Sequence, residues 1–101
     1  MADNVNHPSH YKDSCSLECI DTMIIAFGYE YVYYYCLINA YKYLWRYKYK
    51  NGEEDVRKAE WYLFKAKEIY DTYENTSLDY KKLLAELDLL EGIKEDFKKA
   101  K

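Results

Sequence analysis

The chain has little of what most nucleotide enzymes are built with. Its 101 residues contain only three glycines, which leaves little scope for a backbone loop wrapped around phosphate. No G-x-x-x-x-G-K-[ST] occurs, so there is no P-loop, and G-x-G-x-x-G, G-x-S-x-G and H-E-x-x-H are also missing. Any phosphate must then be held by side chains and helix ends. There is no excess of positive charge either. A net charge of −3 argues against a protein that coats duplex nucleic acid. No run of eighteen apolar residues exists, so no membrane span is expected. The first residues, Met-Ala-Asp-Asn-Val-Asn, lack the basic and apolar stretches of a signal peptide. Cys15, Cys19 and Cys36 are odd in number, and Cys15-x3-Cys19 has no second pair. That spacing does not make a zinc ribbon, and the thiols read as reduced cysteines of a cytoplasmic protein, with no metal site.

What the chain does have is tyrosine. Fourteen of them raise the aromatic content to 19%, yet a chain of this length buries only roughly 60–70% of its unfolded surface. So thin a core cannot take every ring, and some tyrosines must lie at interfaces or ligand sites. The apolar residues recur at three and four. Leu17, Ile20, Met23, Ile24 and Phe27 mark a first helix, capped by Ser14 or Ser16 and stopped at Gly28. A second, aromatic helix is expected over 30–48, since its length exceeds that of a strand, with Asn51-Gly52 as its stop. A third covers 53–73, with Val56, Ala59, Leu63, Ala66, Tyr70 and Tyr73 along its seam. A fourth covers 78–98, preceded by a weak capping box of Thr76 and Asp79. Its stripe of Leu83, Leu87, Leu90 and Phe97 is narrow, as in a helix that packs lightly or zips against another chain. The fold class expected is all-α: a small four-helix domain with an ordered N-terminal arm, its helices packing into a homo-oligomer. Residues 1–16 form the arm, 17–75 a ligand-binding core, and 76–101 the C-terminal oligomerisation helix.

Within the second helix Asn39, Lys42, Tyr43, Arg46 and Lys50 follow at steps of three and four, so they share one face. Arg grips phosphate through two parallel hydrogen bonds, and Lys supplies a mobile point charge. Asn39 adds an amide able to read a base edge or hold a sugar hydroxyl. Nearby tyrosines can stack on a base. A solvated basic stripe would have the same spacing. The arm Asn6-His7-Pro8-Ser9-His10-Tyr11-Lys12 crowds hydrogen-bonding groups just before the first helix, with Pro8 stiffening it. Glu53, Glu54 and Asp55 suit a helix N-terminus, and could also meet a divalent ion or a ribose hydroxyl.

These segments together resemble a small bacteriophage family, often labelled a domain of unknown function, whose best-known type is a nucleotide kinase without a P-loop. The residues that carry the resemblance are Asn6-His7-Pro8-Ser9-His10-Tyr11, Glu18-Cys19-Ile20-Asp21 and Asn39-Ala40-Tyr41-Lys42-Tyr43-Leu44-Trp45-Arg46. Lys50-Asn51-Gly52, Asp55 and Lys58-Ala59-x-Trp61-Tyr62-Leu63 complete it. It extends over about residues 5–72. Where the family pattern has glycine before the Asn and a small residue after the Arg, this chain has Ile38 and Tyr47. The resemblance implies a nucleotide site of His7, Ser9, His10, Tyr11, Asn39, Lys42, Tyr43 and Arg46, to which Lys12 and Lys50 are added from their positions.

Two functions would share that site. One is capture without turnover, needing no cofactor, by which a phage would sequester the nucleotide second messengers, cyclic ones included, of bacterial anti-phage defence. The other is nucleoside monophosphate kinase activity, with magnesium, in which His10 or Asp55 orients the acceptor while Lys42 and Arg46 stabilise the transferred phosphoryl group. A helical adaptor without ligand is the third reading. Capture is favoured, because in-line transfer needs two phosphate groups held at once, and the sequence offers cations for one.

Overall fold

The computed structural model describes residues 16–74 and 77–100. Four helices, with no strand among the described residues, follow one another as α1 (Ser16–Phe27), α2 (Tyr29–Arg46), α3 (Glu53–Tyr73) and α4 (Tyr80–Ala100). The expected all-α class is therefore what the chain adopts. The arm over 1–15, with His7, Ser9, His10, Tyr11 and Lys12, lies outside the described residues, as do Asn75 and Thr76.

Glycine sits at two of the breaks for a conformational reason. Gly28 (φ 98°) and Gly52 (φ 58°) both take positive φ, a region that a Cβ disfavours. Gly28 turns α1 into α2. After α2, residues 47–50 continue as turns, with the amides of Tyr49 and Lys50 both donating to Arg46 O, before Gly52 N donates to Tyr47 O and opens α3. Thus α2 ends at Arg46, two residues short of the expectation. The fourth helix starts two residues later than expected, and Asp79 caps it: Asp79 Oδ1 accepts from Lys82 N at 3.2 Å.

α2 and α3 form an antiparallel hairpin around small residues. Cys36, Ala40, Ala59 and Ala66 are fully buried between them, which lets the backbones approach, while Val32, Leu37, Leu44, Val56, Leu63 and Ile69 fill the rest of the core. α1 lays Ile20 on this hairpin, with Met23 and Ile24 half-buried. α4 covers it with Leu83, Leu90 and Ile93, flanked by Leu87 and Phe97. The leucine stripe expected to zip against another chain is thus taken up by the chain's own core.

Tyrosines close the end of the bundle near the α3–α4 connection. Tyr29 stacks on Tyr73 at 4.2 Å, and Tyr70 meets Tyr80 at 4.5 Å. The buried Tyr33 hydroxyl donates to Asp79 O at 2.9 Å. The Tyr34 hydroxyl accepts from Asp79 N at 2.8 Å. Two adjacent hydroxyls of α2 therefore strap down the residue that starts α4.

One core-facing group works against the fold at high pH. Glu86 Oε1 is buried with no hydrogen-bond partner among the described residues, and burial pushes the carboxyl up to about 7. The folded chain keeps that proton where the unfolded chain has released it, so the contribution is complete below the ordinary carboxylate range and lost as pH rises through about 7. Glu86→Gln is expected to raise stability at about pH 8 by on the order of 1 kcal/mol, with the gain shrinking toward about pH 5. Urea denaturation at both pH values checks this, and an equal gain at both would contradict it.

Candidate functional site

The face of α2 that carries Asn39, Lys42, Tyr43 and Arg46 is laid against α3, which contributes residues of its own. Lys58, Tyr62 and Lys65 follow at steps of four and three on α3 and so present one stripe to the hairpin groove. The centre of the arrangement is the half-buried Tyr43 ring. Lys42 Nζ lies 5.0 Å from its centroid, Arg46 Cζ 4.9 Å and Lys58 Nζ 5.6 Å. Cations within about 6 Å of a ring are drawn by its quadrupole. Three of them from two helices therefore share one small region.

Rings continue the groove. Tyr43 stacks on Tyr62 at 6.1 Å with planes 14° apart. Tyr62 meets Tyr35 edge-on at 6.1 Å and Trp61 edge-on at 5.1 Å. Burial, reinforced by the neighbouring Tyr35 hydroxyl, raises the Tyr62 phenol well above its ordinary value, so it is a neutral hydrogen-bonding group. Asn39 Nδ2 donates to Tyr35 O at 3.0 Å.

Below this cluster lies a clamp. Asp55 is completely buried, yet its two oxygens meet four donors. Arg46 Nε reaches Oδ2 at 3.3 Å and Arg46 Nη2 reaches Oδ1 at 3.4 Å. Asn51 N reaches Oδ2 at 3.2 Å and Asn51 Nδ2 reaches Oδ1 at 3.3 Å. Burial alone would raise this carboxyl, but the hydrogen bonds from Arg46 and Asn51 and the Arg46 charge outweigh it, and the group is held below the usual carboxylate range. Asp55 is thus a sealed structural anion, and Arg46 is shared between that anion and the Tyr43 face.

The remaining cations differ in how they are tied. Lys58 is paired with Glu54 at 3.6 Å, and Lys65 with Glu68 at 2.6 Å while lying 5.9 Å from the Trp61 ring. Lys42 has no carboxylate partner among the described residues. Lys50 is exposed on the turn after α2. Trp45 and Tyr49 pack on each other at 6.0 Å and line a different concavity, of about 670 Å³, shared with Tyr41, Leu89 and Ile93. A second, of about 270 Å³, lies between Val56, Arg57, Glu60 and Phe97. Neither of these two includes Asn39, Lys42, Tyr43 or Arg46.

Of the residues expected from sequence, the structure brings Asn39, Lys42, Tyr43 and Arg46 together and leaves Lys50 on the turn. His7, Ser9, His10, Tyr11 and Lys12 lie outside the described residues. Spacing along α2 gave no sign of Lys58, Tyr62, Trp61 and Lys65, although three of them stand in the Lys-Ala-x-Trp-Tyr-Leu segment of the resemblance. Cys36 is buried and its thiol pushed up to about 12, so it is no nucleophile. Among the described residues no cluster of His, Cys, Asp and Glu could hold a metal ion.

A family model described as a protein of unknown function, DUF3310, matches residues 5–64. No curated protein and no solved structure matches the chain.

If the clamp holds the hairpin in register, Asp55→Ala leaves Arg46 and both Asn51 donors unanswered, at a cost of about 2–4 kcal/mol. The depressed carboxyl adds stability above the ordinary carboxylate range that is lost as pH falls through the folded-state value. The substitution should therefore also flatten the acid side of the stability profile. Urea midpoints measured from neutral to acidic pH check both, and a loss under about 0.5 kcal/mol would rule out the clamp.

Proposed function

The chain belongs to the DUF3310 family of proteins of unknown function, and we propose that it binds phosphorylated nucleotides and holds them without turning them over. The observation that carries this reading is the convergence of Lys42, Arg46 and Lys58 on the Tyr43 ring, at 5.0, 4.9 and 5.6 Å. Three cations around one ring raise the local positive potential, and a phosphate lowers it while accepting charge-assisted hydrogen bonds. Lys42, with no carboxylate among the described residues, is free to give its full charge to a ligand. The Tyr35 ring, 40% exposed beside Tyr62, offers a stacking surface of the kind worth about 1–3 kcal/mol per base.

The state of Asp55 favours capture over phosphoryl transfer. A carboxylate that orients an acceptor hydroxyl needs a free lone pair within reach of substrate. Asp55 is sealed from solvent with four donors on its oxygens. Capture also suits a phage protein that withdraws nucleotide second messengers from the defence of its bacterial host, acting in the host cytoplasm. In this reading the protein is a homo-oligomer. The support is an apolar outer face on α2, where Tyr31, Ile38 and Trp45 recur every seven residues, all exposed.

The test mixes the pure protein with labelled nucleotides, denatures it by heat and chromatographs what is released. Capture returns the nucleotides unchanged. Diphosphate formed from a monophosphate and a triphosphate donor would overturn capture in favour of a kinase, and retention of no nucleotide would leave a helical adaptor. Lys42→Ala should weaken binding about tenfold or more with unchanged helicity by circular dichroism. Arg46→Ala is the poorer probe, since it also strands Asp55.

A further inference from the structure

Beyond the Tyr43 cluster the same groove carries a second cation in a different setting. Lys65 stands seven residues from Lys58 on α3, two helical turns and about 10 Å along the axis. It does not project freely. Its side chain is only 16% exposed, whereas that of its partner Glu68 is 67% exposed. Its ammonium lies over the Trp61 ring. Its charge is felt by the Cys36 thiol on α2, where it opposes the upward push of burial. In the antiparallel hairpin Lys65, one turn beyond Tyr62, stands at the level of Cys36 and Tyr35, while Lys42 and Lys58 stand at the level of Tyr43. Between the two levels lie the rings of Tyr43, Tyr62 and Tyr35, in contact in that order.

The groove thus runs from cations, over a row of rings, to a cation. Resting on the nucleotide reading above, we propose that its ligand is a dinucleotide, with one phosphate on Lys42 and Lys58 and a second on Lys65 against Trp61. The two phosphates of a diphosphate share an oxygen and sit too close together to reach both levels. Phosphates on either side of a nucleoside are separated by a sugar, and their base then falls over the tyrosine row. The carboxylates now on Lys58 and Lys65 are no obstacle. Both are pairs within one helix, at spacings of four and three, and in each the carboxylate is the more exposed partner, so each contact is weak. A phosphate that makes charge-assisted hydrogen bonds displaces them. Exposed Glu68 can swing to solvent when Lys65 turns to the ligand.

Calorimetry on the full-length protein distinguishes the cases, using a nucleoside 5′-monophosphate, a 5′-phosphorylated linear dinucleotide and a cyclic dinucleotide, each with adenine and with guanine. A dinucleotide should bind at least about tenfold tighter than the monophosphate, and its affinity should fall more steeply with salt, because more ion contacts form. Lys65→Gln, which removes the charge but keeps a polar side chain one atom shorter, should collapse that ratio toward one, and Lys65→Arg should restore it. The linear and cyclic arms show which connectivity the groove accepts. Equal affinity for one and two phosphates, or a Lys65→Gln loss of the same factor for both, overturns the dinucleotide and leaves nucleotide capture standing. Binding of none of the three removes the nucleotide reading and this inference with it.

Discussion

The groove between α2 and α3 has its geometry because Asp55 is buried where the two helices meet. Removing a carboxylate from water costs several kcal/mol unless its lone pairs are answered. Here Arg46 and Asn51 answer them with four donors, and the positive end of α3 lies at the same place, since Asp55 is in its first turn. The arrangement is specific in a way that a leucine contact is not. It works only when the last residue of α2, the turn at Asn51 and the first turn of α3 stand in one relative position. Once that end is fixed, antiparallel helices bring Tyr43 beside Lys58 and Tyr62, then Cys36 beside Lys65, by their rise alone. The far end is closed by different means, the Tyr29–Tyr73 stack and the hydroxyls of Tyr33 and Tyr34 on Asp79.

Arg46 links the fold to the site, and that double duty shapes both. Two of its nitrogens serve Asp55, while the guanidinium plane lies over Tyr43. A residue fixed at one end loses little entropy when it meets a ligand at the other. Lysines cannot be pre-set in this way, and Lys58 and Lys65 are instead steadied by single carboxylates on their own helix. The chain is acidic overall, yet this face gathers four cations, so net charge says little about the ligand and local arrangement says more.

How far the sequence disclosed this follows from what periodicity can carry. Steps of three and four show which residues share a face, and so the four helices and the grouping of Asn39, Lys42, Tyr43 and Arg46 were legible. They do not show which face meets which neighbour. Lys58, Tyr62 and Lys65 therefore stayed hidden, although they share a face just as regular on the next helix. Asp55 was ambiguous for another reason. An acidic residue at a helix start is explained by the helix dipole whether it is solvated or buried, and only the arrival of Arg46 from the other helix separates the two. The leucine stripe of α4 was legible as a stripe, but whether it covers its own chain or another is a tertiary fact. Helix ends shifted by two residues because local hydrogen bonds, such as Asp79 on Lys82 N, set them and periodicity does not.

The two departures from the pattern of the resembling family, Ile38 and Tyr47, leave the groove between α2 and α3 open. A large residue where glycine is usual would obstruct the groove if its side chain pointed inward. Ile38 is 67% exposed on the outer face of α2, away from Cys36 and Ala40, whose small side chains let the helices approach. Tyr47 lies beyond the last turn of α2 and packs its ring on Phe97 of α4 at 5.8 Å. Neither bulk enters the space between Tyr43 and Lys58. What they change is the outer surface: Ile38 joins Tyr31 and Trp45 in an exposed apolar row, and Tyr47 fastens the clamp region to α4. Ile38 lies about 140° around α2 from Tyr43, at about 100° per residue, and shares its exposed side with Lys42 one turn on, while Tyr47 turns to α4. A helix can therefore acquire bulk on its outer side while the cations and rings of its inner side keep their register.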